Sequence, residues 1–591
     1  MISITKRQAL WALAAICAAG AAMRFYNLAW GAPYYHFHQD EHYVLAPANT
    51  LRHDPRAAAM GPKFFMYGPV MMQLINIVRG AYEAFSHPLN LAVPRDEVTY
   101  MVLARAIAAS FGTATILVVY AIGAKIGGRL AGLVSAFLFA FAVLNVRDSH
   151  FATTDMPMTF FCAMALWWSV RLVERGDVWS MIGAGASVGA AVACKYTGLI
   201  VLGAVGVAYL LAPIPEKGSG AFFIWTLRKR HPTPFRPLFR WVLRGMVPII
   251  AAVVMFAVLD PLVFQYPEKF LSDFKEQITD PLLGAVKPIF FAHFFDIPNL
   301  RLYWFTNLLW WSLGPMFELL GLAGVVWLFL RKDPRAAVVA SFAVIYYLVA
   351  GHTVAPMIRY THPLAPTLAI TAGVLCSDWL AKSRRRAFPG FVIGAALVST
   401  ALYAVAYMNV FRQPDSRVET SRWLVENVPP GAKILVEPSQ NTPPMGGYYT
   451  NTNAENDYVL WGGTTRRQAE RERDDYFHLY TFDGYKYLYA DRVDDAEKRR
   501  YIASRLAAVD WIVIDDTYVQ WYDHLKDPAN AVVRQYYQDL FDKKLGFVLV
   551  KTFKTYPSLF GKTINDDGAE FTFRYFDHPR VFVFRRYAAL R

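Results

Sequence analysis

The sequence predicts a membrane-embedded all-α bundle of about eleven transmembrane helices, followed by a C-terminal extracytoplasmic α/β domain. Three observations carry this reading. The 591 residues are 55% hydrophobic and 15% aromatic. Apolar runs long enough to cross about 30 Å of hydrocarbon recur as far as Met408. Beyond Val410 charge becomes dense, and short β-rich runs alternate with helical ones.

In order, the apolar runs are Leu10–Leu28, Arg105–Ile122, Leu130–Asn145, Met156–Leu172, Trp179–Ala193, Thr197–Ala212, Val242–Leu259, Met316–Leu330, Ala336–Gly351, Pro363–Leu380 and Phe388–Met408. No small-residue cleavage site follows the first, so it reads as a retained helix. Between the first two lies a long loop, residues 29–104. Its apolar stretch Met66–Phe85 is interrupted by Gly68-Pro69 and Arg79. Counting it as a span would invert every later loop, so it reads as an interfacial helix.

Charge orients the bundle. One set of loops carries Lys6 and Arg7, Lys125 and Arg129, Arg171 and Arg175, the run from Lys217 to Arg244, then Arg331, Lys332 and Arg335, and finally Lys382 to Arg386. The opposite loops are mixed, with Asp260, Glu268, Asp273, Asp280 and Asp296. The positive-inside rule places the N-terminus in the cytoplasm, and Asp40-Glu41 and everything after Val410 outside. The expected location is the cell inner (plasma) membrane, crossed many times. Those basic loops account for the net charge of +14 without a nucleic-acid partner. Cys17, Cys162, Cys194 and Cys376 lie in or beside apolar runs. They suggest neither a disulfide framework nor a structural zinc site.

Two domains follow: residues 1–409, the membrane part, and 410–591. In the second, Lys433–Glu437, Trp511–Asp515, Phe547–Val550 and Arg580–Arg585 read as strands, and Ser416–Asn427 and Ala529–Leu545 as helices. An outer loop from Asp260 to Ser312 carries Phe290, Phe291, Phe294, Phe295, Tyr303, Trp304, Trp310 and Trp311. It reads first as an aromatic belt at headgroup depth, a reading compatible with a wall along which a polyprenyl tail could lie.

Polar clusters at the outer ends of spans carry the chemistry. The first is His38-Gln39-Asp40-Glu41-His42; the second runs from Asn145 to Asp155 and includes Arg147 and His150. Carboxylates beside a bilayer are costly unless they have a task. Sugar transfer from a lipid phosphate needs a base to deprotonate an acceptor hydroxyl and cations to hold the departing phosphate. Asp40, Glu41 and Asp155 are the candidate carboxylates. Arg147, Lys195 and Arg359 are the candidate cations, with His150 as a donor. Lys195 separates two apolar runs in Ala193-Cys194-Lys195-Tyr196-Thr197, where a snorkelling lysine at a hairpin tip is the simpler alternative. Asp40, Glu41, Asp155 and His38 also leave a divalent cation open as a cofactor.

Several short motifs occur in a telling order. Asp40-Glu41 follows the first span. Downstream come Ser149-His150-Phe151-Ala152-Thr153-Thr154-Asp155-Met156-Pro157, Lys195-Tyr196-Thr197-Gly198, Arg359-Tyr360 with Pro363, and Phe576-Asp577-His578-Pro579-Arg580-Val581. Over residues 1–410 this pattern resembles the membrane glycosyltransferases of the GT-C fold, in particular the protein O-mannosyltransferase and aminoarabinose-transferase group, and the motif at 576–581 resembles bacterial members. The resemblance implies a polyprenyl-phosphate sugar donor, a lipid, glycan or protein acceptor, and inverting transfer. It implies Asp40 as the base, Glu41 as its neighbour and Asp155 as the acidic residue before the fourth span. Lys195 and Arg359 fall where the donor phosphate is held; Arg147, His150, Tyr196 and Tyr67 are further candidate substrate contacts. One departure stands out. Aminoarabinose transferases carry Glu-Lys-Pro-Pro in the first outer loop, where this chain has Met66-Tyr67-Gly68-Pro69 and only Lys63 nearby. An aminoarabinose donor and a lipid A acceptor therefore do not carry over.

Two other classes compete. A secondary transporter would show broken helices at matching places in two halves, a pattern the sequence lacks. A receptor-like protein would work through its outer domain, with Asp40-Glu41 merely capping a helix.

Overall fold

Thr5 closes a capping box with Gln8 and starts the first helix, α1 (Lys6–Phe25). It opens a computed structural model that describes residues 4–32, 38–61, 64–86, 97–213, 235–276, 294, 297–437, 439, 441–445, 477–482, 495–524 and 530–587. Every predicted apolar run overlaps a helix. After α1 come α2 (Gln39–His53), α3 (Pro55–Met60), α4 (Pro69–Ser86), α5 (Glu97–Ala140), α6 (Val143–Asp148), α7 (Asp155–Arg175) and α8 (Val178–Cys194). Later apolar helices cover Leu202–Leu211, Phe235–Leu259, Pro315–Leu330, Pro334–Ala350, Leu364–Lys382 and Ala387–Arg412. Among the described residues, six helices are long and apolar enough to cross a membrane, and shorter apolar helices accompany them.

Two predicted spans, Arg105–Ile122 and Leu130–Asn145, share α5. Gly128 breaks it with a left-handed φ of 85°, and the two halves fold back on each other, Gly132 resting against the Tyr120 carbonyl. A second close approach joins α8 to Phe235–Leu259. Gly185 and Gly189 form a small-residue stripe, and an added Cβ would lie 2.0 Å from the Pro248 oxygen and 2.2 Å from the Ala252 oxygen. The other face of Phe235–Leu259 leaves Ile250, Val253, Val254 and Val258 exposed, as a lipid-facing surface would. The expected interfacial stretch forms α4, bound to α2 by Asn76 donating to the Ala48 carbonyl at 2.8 Å.

The basic loops gather at one end. Lys125 pairs with Glu174 at 2.7 Å, Arg335 with Glu174 at 3.2 Å, and Arg331 with Asp378 at 2.5 Å. Lys63, Asp280, Phe290, Phe291, Phe295, Asp296 and the run 217–230 lie outside the described residues.

At the opposite end stands the α/β domain. Its five-stranded sheet has the order β2-β1-β3-β7-β4, from β1 (Ala432–Val436), β2 (Phe477–Thr481), β3 (Trp511–Asp515), β4 (Phe547–Phe553) and β7 (Val581–Arg586). The two-residue strands β5 (Ser558–Leu559) and β6 (Lys562–Thr563) make a separate hairpin. Strand β1 runs parallel to β2 and β3, whereas β7 is antiparallel to β3 and β4. The period-2 alternation sends Ile434 and Val513 to one face and Leu435 and Ile512 to the other. Helix Ser416–Asn427 covers the first face through Leu424, and Ala531–Phe541 covers the second through Val533 and Leu540. Strand β2 was not anticipated.

The domain is keyed into the bundle. Ala569, Phe573 and Phe576 belong to the same apolar core as α5, α7 and Leu364–Lys382. Tyr407 donates to Asp577 at 2.7 Å, and Ser416 to the Pro579 carbonyl at 2.6 Å. This join overlies the end of the bundle where the polar motifs meet.

Candidate active site

Asp40 sits in the first turn of α2, where a carboxylate is favoured by the exposed N–H groups of the helix end. Both of its oxygens are engaged. Tyr67 donates to Oδ1 at 2.7 Å, and Arg359 is ion-paired to Oδ2. Burial works against the Asp40 charge, but Arg359, His38 and Tyr67 outweigh it and hold the carboxyl below the usual carboxylate range. Arg359 comes from a short 3₁₀ turn, Ile358–Thr361. Its Nε has no hydrogen-bond partner among the described residues, so the guanidinium keeps one donor for something else.

Lys195 caps the C-terminal end of α8 in extended conformation and meets Asp155 at 2.7 Å. It lies within electrostatic reach of Asp40, as Arg359 does of Asp155. Two carboxylates and two cations thus form one alternating cluster. Gly68 makes it compact. Its φ is +60°, and a Cβ there would lie 2.1 Å from the Ala193 carbonyl oxygen. The turn bearing Tyr67 therefore seats directly on the turn before Lys195.

Glu41 belongs to the frame around this cluster. Fully buried, it takes a two-pronged bond from Arg105 at 2.8 and 3.0 Å and accepts the Ala152 N–H at 2.8 Å. Arg105 also donates to the carbonyls of Leu28 and Trp30. Sequence reading placed Arg105 at the start of a span and missed this partner. Charge pairing between an acidic motif and an arginine at the start of a predicted span was the available signal.

Arg147, His150 and Tyr196 are not brought into the cluster. Arg147 pairs with Asp148 at 2.5 Å and donates to the carbonyls of Thr572 and Phe573. His150 bonds the carbonyls of Val146 and Tyr26 and stacks on Phe411 at 4.0 Å. Tyr196 packs edge-on against Phe270 and Phe274. Three other residues border the cluster instead: His38, which the sequence offered only as a cation ligand, and His362 and Glu570, which it did not single out. His38 caps α2, its Nδ1 accepting the Asp40 N–H at 3.1 Å. His362 binds Asp148 at 2.6 Å. Glu570 accepts the Ile358 N–H at 3.0 Å, next to Arg359.

No group of three or more His, Cys, Asp and Glu among the described residues is gathered to hold a metal. Asp40, Glu41 and Asp155 each face a cation of the chain itself, a poor fit to the divalent ion those residues left open.

Residues 99–219 match the family described as dolichyl-phosphate-mannose-protein mannosyltransferase. The apo oligosaccharyltransferase of Archaeoglobus fulgidus has a similar structure. The TM-score is 0.50 at 14% identity, covering 95% of this chain and 76% of that one. The chain shares the fold of that enzyme, a GT-C fold. ArnT from Cupriavidus metallidurans, solved bound to undecaprenyl phosphate, aligns over 98% of both chains at 13% identity and TM-score 0.46. The S. cerevisiae protein O-mannosyltransferase complex, solved bound to its sugar donor, aligns over 45% of this chain and 34% of that one, at 19% identity and TM-score 0.33. No curated protein matches the sequence. The matched residues 99–219 contain Arg105, Asp155 and Lys195 but not Asp40 or Arg359.

Proposed function

We propose that this enzyme transfers a sugar from a polyprenyl-phosphate donor to an acceptor hydroxyl of a lipid, glycan or protein, with inversion, and that Asp40 is the general base. The observation that carries the reading is the meeting of Asp40 with Arg359, Tyr67, Lys195 and Asp155 at one end of the bundle. The matched family's description supports the donor class.

In the reaction the acceptor oxygen attacks the anomeric carbon, its proton passes to Asp40, and the bond from that carbon to the phosphate oxygen breaks. The phosphodiester leaves as a monoester and gains negative charge. Fixed cations therefore favour the transition state over the ground state. Arg359 offers planar, two-pronged bonding to phosphate oxygens and already has an unused Nε–H. Lys195 adds a point charge. A donor phosphate arriving on Arg359 draws it from Asp40, which frees an oxygen for the proton.

The basic loops at the far end support an orientation with this cluster outside the cytoplasm, in the plasma membrane. A cysteine at exposed Lys562 should then be labelled from outside intact cells; labelling only after the membrane is opened would reverse the orientation. The transfer itself is tested with pure protein in proteoliposomes and a radiolabelled polyprenyl-phosphate sugar. Movement of label to an acceptor fraction supports the reading, whereas uptake of intact donor without bond cleavage would favour a transporter.

A further inference from the structure

His38 and Ile358 lie far apart in sequence, yet each flanks one half of the Asp40–Arg359 pair, and each is held by the same short piece of the C-terminal domain. On the Asp40 side, the His38 ring stacks on Phe576 at 3.7 Å and 15° and meets Phe151, tilted by 52°, at 4.5 Å. The ring is 2% exposed, and its Nδ1 accepts the N–H of Asp40. On the Arg359 side, one carboxylate oxygen of Glu570 accepts the N–H of Ile358, and the other accepts the N–H of Thr572 at 3.2 Å. The Thr572 hydroxyl also donates to Glu570.

Neither half is rigid by itself. A four-residue 3₁₀ turn has too few bonds to fix the direction of an arginine. The first turn of a helix depends on its cap. The piece that holds both is itself firmly anchored. Arg147 donates to the carbonyls of Thr572 and Phe573 at 3.2 and 3.1 Å. Asn307 donates to the Gly568 carbonyl at 2.7 Å and accepts the Glu570 N–H at 2.8 Å. Phe573 and Phe576 are buried in the bundle core.

From this we infer that residues 570–576 of the C-terminal domain are a positioning element of the transfer centre, Glu570 setting Arg359 and Phe576, through His38, setting Asp40. The inference rests on the proposed roles of Asp40 and Arg359. It gives Arg147 a task as well: it bolts this element to the bundle. The C-terminal domain then completes the site rather than merely covering it.

The test uses the full chain in proteoliposomes. A displaced reactive group costs rate on the order of 100-fold for about 1 Å. Phe576→Leu, which keeps apolar volume but loses the flat ring, should lower the rate at saturating donor by 10- to 100-fold and move donor half-saturation by less than about 3-fold. Phe576→Tyr keeps the ring and should restore most of the rate. Glu570→Ala should act chiefly on donor half-saturation, because the phosphate cation is the group it holds. Hydrogen exchange of residues 38–44 should quicken in Phe576→Leu, and that of residues 357–361 in Glu570→Ala, with no donor present. If exchange stays at wild-type levels, the inference fails whatever the activity. Should both variants lose both kinetic parameters together with a lowered melting temperature, and Phe576→Tyr do the same, these residues only dock the domain, and the inference is again overturned. A wild-type protein that shows these exchange effects in its variants but transfers no sugar would instead overturn the proposed function.

Discussion

Arg359 is ion-paired with Asp40 across 319 positions of sequence, and this contact sets the protonation of the candidate base. Burial alone would raise the Asp40 carboxyl; Arg359, His38 and Tyr67 lower it below the usual range. The charged form is therefore present above the lowered value and is lost only as pH falls through it. With Arg359→Gln, burial is opposed by less, and the carboxyl rises. The acid limb of the pH–rate profile should move upward in that variant, while the wild type stays flat from about pH 5 to 7. Arg359→Lys should keep the limb near its wild-type position but not restore donor affinity, because Lys lacks the two-pronged geometry. Profiles of transfer rate against pH and donor concentration check both; an unmoved limb in Arg359→Gln would uncouple the two residues.

Glu41 differs from its neighbour in kind. Sequence reading treated it as an auxiliary of Asp40, but it is locked to Arg105 and to the Ala152 N–H in the interior. Removing one partner of a buried pair leaves the other uncompensated, at about 3–5 kcal/mol. Glu41→Gln should therefore reduce folded yield and melting temperature more than Asp40→Asn, whose partner Arg359 keeps some contact with solvent while Arg105 keeps almost none. Size-exclusion profiles and thermal melts in detergent distinguish the two.

His578 makes stability depend on pH. It lies between Asp577, at 2.8 Å, and Asp566, at 2.9 Å. Burial lowers its affinity for a proton, but the two carboxylates prevail and push it up to about 9. A histidine whose folded value is raised contributes stability that is complete below its ordinary value near 6.5 and is lost as pH rises toward about 9. Relative to His578→Gln, the wild-type melting temperature should therefore fall between those two values. Parallel curves for the two proteins would show that the trio does not titrate there.

The helices were legible because hydropathy alone marks a segment that lipid must solvate. So were Asp40, Asp155, Lys195 and Arg359, charged residues flanking apolar runs where solvation is costly. What remained hidden was which cation meets which anion. Arg147 and Arg359 look alike in sequence, each a cation at the end of an apolar segment. Folding sends one to the carbonyls of Thr572 and Phe573 and the other to Asp40. The roles of His38 and Glu570 were hidden for the same reason, since each depends on a contact made only once the C-terminal domain docks. Strand β2 follows a long polar stretch, and its five residues, Phe477–Thr481, gave too short a pattern to stand out.

The central claim is that Asp40 takes the acceptor proton while Arg359 and Lys195 hold the donor phosphate. Single-turnover transfer by Asp40→Asn, measured beside donor binding by the same variant, tests it most directly. The expected result is a loss of about 10²- to 10⁴-fold in rate with donor affinity changed only a few-fold, because the missing group acts in the transition state. Near-normal turnover by Asp40→Asn would contradict it and move the role of base to Asp155.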